Sequence, residues 1–240
     1  MNHAFFPVMC GRFFLTSPPS DVGDLFDLAL RENFPPRYNI APSQPIAVIR
    51  QNDSPVRDAR QREFALVRWG FIPGWARGEH LQRVSAKPLI NARSETVDEK
   101  PTFRSAYKRR RCLVPANGFY EWRAGADGKQ PFAIQRPDAG LIAFAAIWET
   151  ANDPDGGEID TAAILTTASG PDLRGLHARE PVVIAREHFA LWLEADERDT
   201  GLLSGLMAPA PAGTWDYYPV SKAVNSPRQD GPDMIAPLAA

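Results

Sequence analysis

The stretch Arg111-Cys112-Leu113-Val114-Pro115-Ala116-Asn117-Gly118-Phe119-Tyr120-Glu121-Trp122 holds two short strand-like runs, 112–114 and 119–122, parted by a proline and a glycine. Apolar and aromatic residues fill the runs and turn formers separate them, the pattern of a sheet made of many short strands. Similar runs lie outward from it at 46–50, 64–69, 132–135, 141–148, 162–166 and 181–184, and Gly11-Arg12-Phe13-Phe14 also reads as a strand. Helical patterns are few. One spans 20–30, with Ser20 as N-cap and Leu25, Phe26, Leu28 and Ala29 apolar; others cover 102–110, 186–194 and 200–207. The strands do not alternate with helices in a βαβ rhythm, so the expected class is α+β: a single compact domain with a curved, barrel-like, mostly antiparallel sheet flanked by short helices. The polar, Gly-rich segment 152–158 reads as a hairpin connection, and the irregular end from Ser221 as a wrap over the core.

Bulk composition narrows the function classes. With 44% hydrophobic and 23% charged residues, the chain has the make-up of a soluble globular protein. It has no apolar run near the roughly 18 residues a membrane span needs. Residues 1–8 carry no basic start and too short an apolar stretch for a signal peptide, so they read as an upstream start or short extension. Two cysteines, Cys10 and Cys112, give no disulfide framework and too few zinc ligands, and the four histidines show no metal spacing. The reading is a cytoplasmic protein without a metal or other cofactor. The net charge is −2, yet residues 68–136 hold 14 Lys and Arg against 6 Asp and Glu. Such asymmetry suggests a basic surface on an acidic protein, although the run Lys108-Arg109-Arg110-Arg111 also suits a helix C-terminus.

Several residues stand out as candidate chemistry. Cys10 follows Met9. It reads as a buried thiol, an internal nucleophile, or, if Met9 is the start and is removed, an N-terminal residue bearing an amine and a thiol. That last pair attacks aldehydes: the amine forms an imine, and the thiolate closes a thiazolidine ring. An α-amine with a pKa of about 7.7–8.0 is partly neutral at physiological pH. Glu121 sits between aromatics on an apolar strand, where desolvation raises its pKa towards acid/base use, unless it faces outward. Trp122 reads either as core or as a platform for a base. His177 lies on a turn before a strand with Arg179 nearby, and Asn91 and Arg93, two apart in a strand, face the same side.

Taken in order, these segments resemble the SRAP family, the SOS response-associated peptidases that include bacterial and eukaryotic abasic-site-crosslinking proteins. The resemblance runs through Met9-Cys10-Gly11-Arg12-Phe13, Arg37-Tyr38-Asn39-Ile40-Ala41-Pro42-Ser43, and Arg68-Trp69-Gly70-Phe71-Ile72-Pro73-Gly74-Trp75. It continues in Ile90-Asn91-Ala92-Arg93-Ser94-Glu95-Thr96, the 111–122 stretch, the His177 segment, and Val220-Ser221-Lys222-Ala223-Val224-Asn225-Ser226. The resemblance implies a domain over 10–240, with 1–9 absent from the active protein, and a compact fold with a positively charged groove. It implies action on abasic sites in single-stranded DNA during the DNA damage response; nothing in the sequence suggests an obligate interface, so the protein reads as a monomer. Cys10 would form the thiazolidine, Asn91 would position the amine or sugar, Glu121 would shuttle protons, and His177 would help open the sugar ring. Arg12, Arg93 and Arg179 would hold phosphates, and Pro42, Trp75 and Trp122 would stack on bases.

The chain departs from the family pattern in three places. Eight residues precede Met9; His177-Ala178-Arg179-Glu180-Pro181 stands where the family has His-Asp-Arg-Met-Pro; and Ala76 replaces a second aromatic found in some relatives. Glu180 is expected to weaken phosphate binding, and Ala76 to reduce strand wedging. Three rival readings use the same residues. One is a class II glutamine amidotransferase, which also starts Met-Cys-Gly. The others are a thiol peptidase that removes its own leader and a non-covalent single-strand binder.

Overall fold

The computed structural model describes residues 10–52, 61–125, 128–152 and 156–238. Met1 to Met9, read from the sequence as a leader, lie outside the described residues, as do 153–155 of the expected 152–158 connection. The strands are β1 (Phe13–Leu15), β2 (Arg37–Ile40), β3 (Pro45–Gln51), β4 (Arg62–Trp69), β5 (Asn91–Arg93) and β6 (Arg111–Ala116). They continue as β7 (Gly118–Gly125), β8 (Gly128–Gln135), β9 (Ile142–Asn152), β10 (Glu158–Ala168), β11 (Arg179–Pro181) and β12 (Asp216–Pro219). The α-helices are α1 (Pro19–Phe26), α2 (Gly78–Ala86), α3 (Arg104–Arg109) and α4 (Phe189–Glu194).

Strands β10, β4, β3, β6 and β9 close on themselves into a five-stranded barrel, because β9 pairs with β10 as well as with β6. Every pairing in the ring is antiparallel except β10 with β4, which makes it mixed. Closure leaves few free edges. β11 and β5 add to β10 at the rim. A second, antiparallel sheet runs β12-β8-β7-β1-β2. Residues 142–148 of β9 are all buried, so that strand is one continuous apolar run, as expected of a strand covered on both faces.

The 111–122 stretch is the crossover between the two sheets. β6 lies in the barrel, β7 lies in the second sheet, and only Asn117 separates them. Asn117 fixes the crossing: its N–H donates to the Phe14 carbonyl at 2.9 Å, and its Oδ1 accepts from Thr16 and Ser17 N–H at 2.8 and 2.9 Å. Gly118 follows because nothing larger fits; a Cβ there would lie 2.3 Å from the Ile134 carbonyl and 2.4 Å from the Phe14 ring. Pro115 is tolerated in β6 because pairing with β3 reaches only Leu113. The buried Arg111 guanidinium donates to the carbonyls of Tyr107 and Lys108, at the end of α3, and to those of Trp192 and Ala195, at the end of α4. One cation thereby satisfies carbonyls that two helix ends leave unpaired.

The helices differ in detail from the sequence reading. α1 begins at Pro19 with Pro18 as its cap and stops at Asp27, whose φ of 56° is left-handed, so neither Ser20 nor Leu30 bounds it. Residues 186–188 and 200–207 are 3₁₀ turns, and α4 covers only the second part of the expected 186–194 helix. Of the 181–184 run only Pro181 falls in β11, which starts at Arg179, and Val183 makes an isolated bridge with Phe144. β2, β12 and α2 were not expected. Among the described residues no helix is long and apolar enough to cross a membrane.

Substituting Gly118→Ala should destabilise the fold by about 1–3 kcal/mol, the range for forced overpacking. Gly201→Ala, where a Cβ meets nothing within 4 Å, should leave stability unchanged or slightly raised. Parallel denaturant titrations compare the two.

Candidate active site

Cys10 sits just ahead of β1, and the register of β1 on β7, Phe13 opposite Phe119, carries it alongside the middle of β7. Its side chain is buried, and its N–H donates to Glu121 Oε1 at 2.7 Å. Its φ of 32° is one that L-residues rarely adopt, a strained setting for a nucleophile. Glu121 lies within β7, whose neighbour β8 places Phe132 directly opposite. Only 2% of Glu121 is exposed, and burial pushes its carboxyl up to about 8, although the N–H groups of Cys10 and Trp122 pull the other way. Burial and the nearby Glu121 together raise the Cys10 thiol well above its ordinary value. The thiol therefore needs a base to become a nucleophile.

His177 ends the loop between β10 and β11, where its N–H donates to the Leu173 carbonyl at 2.9 Å. Its Nδ1 lies 3.6 Å from Glu121 Oε1, 3.2 Å from the Arg179 N–H and 3.1 Å from the Arg179 carbonyl. Arg179 therefore serves either ring tautomer, accepting from Nδ1 when it is protonated and donating to it when it is not. A small movement would bring Nδ1 within hydrogen-bond range of Glu121. Asn91 opens β5, which runs parallel to β10 and is tied down at Ile90, whose carbonyl accepts from the Ile164 N–H and from Trp69 Nε1. From there Asn91 Nδ2 reaches the Cys10 carbonyl at 3.4 Å. The four expected reactive residues, Cys10, Asn91, Glu121 and His177, thus meet at one point.

The expected DNA-contacting residues fall into three groups. Arg12 spends its donors on the fold: Nη1 reaches Asn39 Oδ1 and the Val224 carbonyl, and Nη2 the Asn225 carbonyl. Arg179 is paired through both terminal nitrogens with Glu95 and also donates to the Thr166 carbonyl, whereas Arg93 is exposed at the end of β5. Trp122 donates from Nε1 to Asn225 Oδ1 at 2.7 Å, so its indole has a set orientation. Trp75 is 56% exposed on its own loop, and Pro42 is half-buried after β2.

Glu180 does not act as the sequence reading expected. It is fully buried, and its carboxylate accepts from the Gly170 N–H at 3.1 Å and the Ala210 N–H at 2.6 Å. Successive strand residues point to opposite faces, so its charge is turned away from the Arg179 guanidinium. Glu180 clamps the His177 loop to the 210 region. Ala76 is likewise buried, packed with Ile72, Leu81 and Ala151, and has no stacking face to offer. Glu95, Thr166 and Asn225 escaped the sequence reading of individual residues. Glu95 and Asn225 lie within the 90–96 and 220–226 segments, but only the fold reveals their partners.

The arrangement combines a nitrogen and thiol on one residue, a carboxyl near neutrality, an imidazole and an amide. Among the described residues no group of three or more His, Cys, Asp or Glu is placed to hold a metal ion.

The family model "SOS response associated peptidase (SRAP)" matches residues 9–227. Two Bacillus subtilis proteins are similar along nearly their whole length. Abasic site processing protein YoqW is 37% identical over 95% of this chain and 99% of its own, and abasic site processing protein YoaM is 35% identical over 95% and 97%. A crystal structure of a Bordetella bronchiseptica protein superposes with a TM-score of 0.75 at 28% identity, covering 88% of this chain and all of that one.

Two outcomes follow from the buried carboxyls. With the Cys10 nitrogen held as an amide, folded Glu121 keeps a proton that the unfolded chain releases above its ordinary value of 4.5. Its stabilising contribution is present below that value and is lost as pH rises through about 8. Melts of the wild type should therefore show a decline across that window that Glu121→Gln reduces. Glu180→Ala strands the buried Gly170 N–H and the half-buried Ala210 N–H, and should cost about 2–6 kcal/mol, at roughly 1–3 kcal/mol for each unsatisfied group, read from denaturant curves.

Proposed function

The chain belongs to the SOS response associated peptidase (SRAP) family, and from that premise we propose that it processes abasic sites in single-stranded DNA by trapping the exposed aldehyde on Cys10. The observation that carries this reading is the 2.7 Å contact between the Cys10 nitrogen and a buried carboxyl whose pKa lies near neutrality. The chemistry requires Cys10 to be the first residue, so the active form is one without residues 1–9. Its nitrogen is then an α-amine, with an ordinary pKa of about 7.7–8.0. Burial raises the carboxyl towards that range and an ammonium beside it would draw it down again, and a carboxyl set between those two pulls can take the ammonium proton and return it later.

The reaction balances with the loss of one water. Ring opening of the abasic sugar, assisted by a proton from His177, presents the aldehyde. The Cys10 amine adds to its carbon, and Asn91 holds the Cys10 carbonyl so that the nitrogen faces the incoming carbon. Glu121 protonates the resulting hydroxyl, water departs, and an imine remains. The thiol gives its proton to Glu121 or His177, the sulfur adds to the imine carbon, and the nitrogen takes up a proton as the five-membered ring closes. Arg93, exposed at the rim, holds a flanking phosphate. Arg179 does the same once the phosphate competes with Glu95 for its guanidinium. Trp122, set by Asn225, offers a face to an adjoining base. We take the protein to be cytoplasmic and to act as a monomer during the DNA damage response.

A second reading, a thiol peptidase that removes residues 1–9 by itself, is favoured by the strained φ of Cys10 beside Glu121 and His177. Intact mass separates the two contributions. Wild-type and Cys10→Ala proteins made in the same cells should differ at the N-terminus if the thiol does the cutting, and match if cellular aminopeptidases do it.

Processed protein incubated with a single strand carrying one abasic site should give a band that survives denaturing electrophoresis, and Cys10→Ala should abolish it. No such band from correctly processed protein would sink the proposal. Arg93→Ala should still crosslink but load more weakly, with the slope of log affinity against log salt reduced by about 0.7, the value for one lost contact to a single strand.

A further inference from the structure

Trp75 stands on a loop that is anchored on both sides. Ile72 and Ala76 are buried together with Leu81, and the Ile72 N–H donates to Thr161 Oγ1 at 3.0 Å. A turn closes between them, with the Ala76 N–H donating to the Pro73 carbonyl at 2.9 Å. Arg77 clips the loop by donating from Nη1 to the carbonyls of Gly74 and Ala76, both at 2.7 Å. Gly74 runs close against Glu149, where a Cβ would lie 3.1 Å from the carboxylate carbon, and Glu149 is in turn paired with Arg110 at 3.0 Å. With Ile72 and Ala76 pointing inward, Trp75 is left outside, 56% exposed on a backbone that is held in place.

The indole is not left to rotate freely. His80, on the first turn of α2, stacks on it with ring centroids 4.7 Å apart and planes 27° from parallel. Arg83, one turn further along α2, places Nη2 3.1 Å from His80 Nδ1. A guanidinium can only donate, so Nδ1 accepts and the ring proton of the neutral imidazole sits on Nε2. The order is therefore cation, imidazole, indole, along one side of α2. Ala76 cannot supply the second aromatic that the sequence lacks at that position, whereas His80 supplies a second ring from a different element.

We propose that His80, held by Arg83, is a positioning residue that backs the Trp75 indole so that its other face stacks one unpaired base of single-stranded DNA. The proposal rests on the single-stranded DNA reading above. An unpaired base offers a flat π-face to any aromatic platform, and stacking of this kind is tolerant of sequence. An indole already ordered by its neighbour loses less rotamer freedom on binding than a free one. Arg77, bound to the Trp75 loop, and Arg83, bound to His80, add positive charge near the stack, suited to a phosphate backbone.

The test uses an intact single strand with no abasic site, so it does not depend on Cys10 chemistry. Affinity is measured by fluorescence anisotropy, and stacking by quenching of a fluorescent purine analogue in the strand. Trp75→Ala should weaken binding about 5-fold to 150-fold, the range expected for one stacked base. His80→Ala should weaken it about threefold to tenfold and reduce the quenching, while leaving the salt slope unchanged, because no phosphate contact is lost. His80→Phe, which keeps a flat ring, should stay within about twofold of wild type, and adding His80→Ala to Trp75→Ala should cost nothing further, since coupled residues are not additive. Binding by His80→Ala equal to wild type, or additive losses in the double variant, would overturn the proposal, as would a wild type that does not bind the intact strand. Crosslinking to an abasic strand is scored in parallel. A wild type that binds the intact strand and forms no adduct refutes the trapping reading and leaves the His80 series to decide the platform.

Discussion

The hydrogen bond from the Cys10 nitrogen to Glu121 is the contact around which the site is organised. A carboxyl with 2% of its surface exposed is costly to bury unless its oxygens are satisfied, and the backbone N–H groups of Cys10 and Trp122 supply that satisfaction. Burial still dominates and pushes the group up to about 8, so the same desolvation that makes Glu121 expensive to bury also sets its protonation. The contact depends on a chain of smaller constraints. β1 must pair with β7 in the register that sets Phe13 against Phe119, Asn117 must hold the crossover, and Gly118 must let Phe14 and the Ile134 carbonyl approach.

Other buried polar groups follow the same rule and join parts of the chain far apart in sequence. Arg111 gathers the carbonyl ends of two helices, and Glu180 bridges the N–H groups of Gly170 and Ala210. Asn39 lies within hydrogen-bond reach of the carbonyls of Val224, Ser226 and Gln229, which fastens the C-terminal segment beside Arg12 and Trp122. These groups explain why the basic stretch of the sequence is a poor map of the protein's field. Arg110 is paired with Glu149, Arg111 is buried, Arg123 lies over the Phe132 ring, and Arg136 is paired with Asp138. Arg93 stays exposed, while Arg179 is paired with Glu95.

Much of the sheet was legible from sequence because most strands are short, apolar and bounded by turn formers. The runs at 46–50, 64–69, 112–114, 119–122, 132–135 and 162–166 lie within β3, β4, β6, β7, β8 and β10. Helix ends were less legible. Apolar spacing says where a helix buries its face, not where a left-handed Asp27 stops it or where the last turn tightens to 3₁₀. β2, β12 and α2 were missed because Arg37–Ile40, Asp216–Pro219 and Gly78–Ala86 carry half-exposed, mixed residues whose state is decided by their neighbours. The candidate site was legible as a set of segments, since Cys10, Asn91, Glu121 and His177 each stand in a recognisable motif.

Sequence alone determined the residue types available for chemistry, the α+β class and the family resemblance, because these depend on local composition and order. Only the tertiary structure decided what each charge does. Glu180 reads in sequence as a charge beside Arg179, but strand geometry turns it into the interior. Arg12 reads as a free cation, but its donors are taken by Asn39, Val224 and Asn225. His80 shows no metal spacing in the sequence, and only the fold of α2 lays its ring over Trp75. The physical reason is the same in each case: a side chain's charge and shape are local properties, whereas its partners and desolvation come from residues brought near by folding.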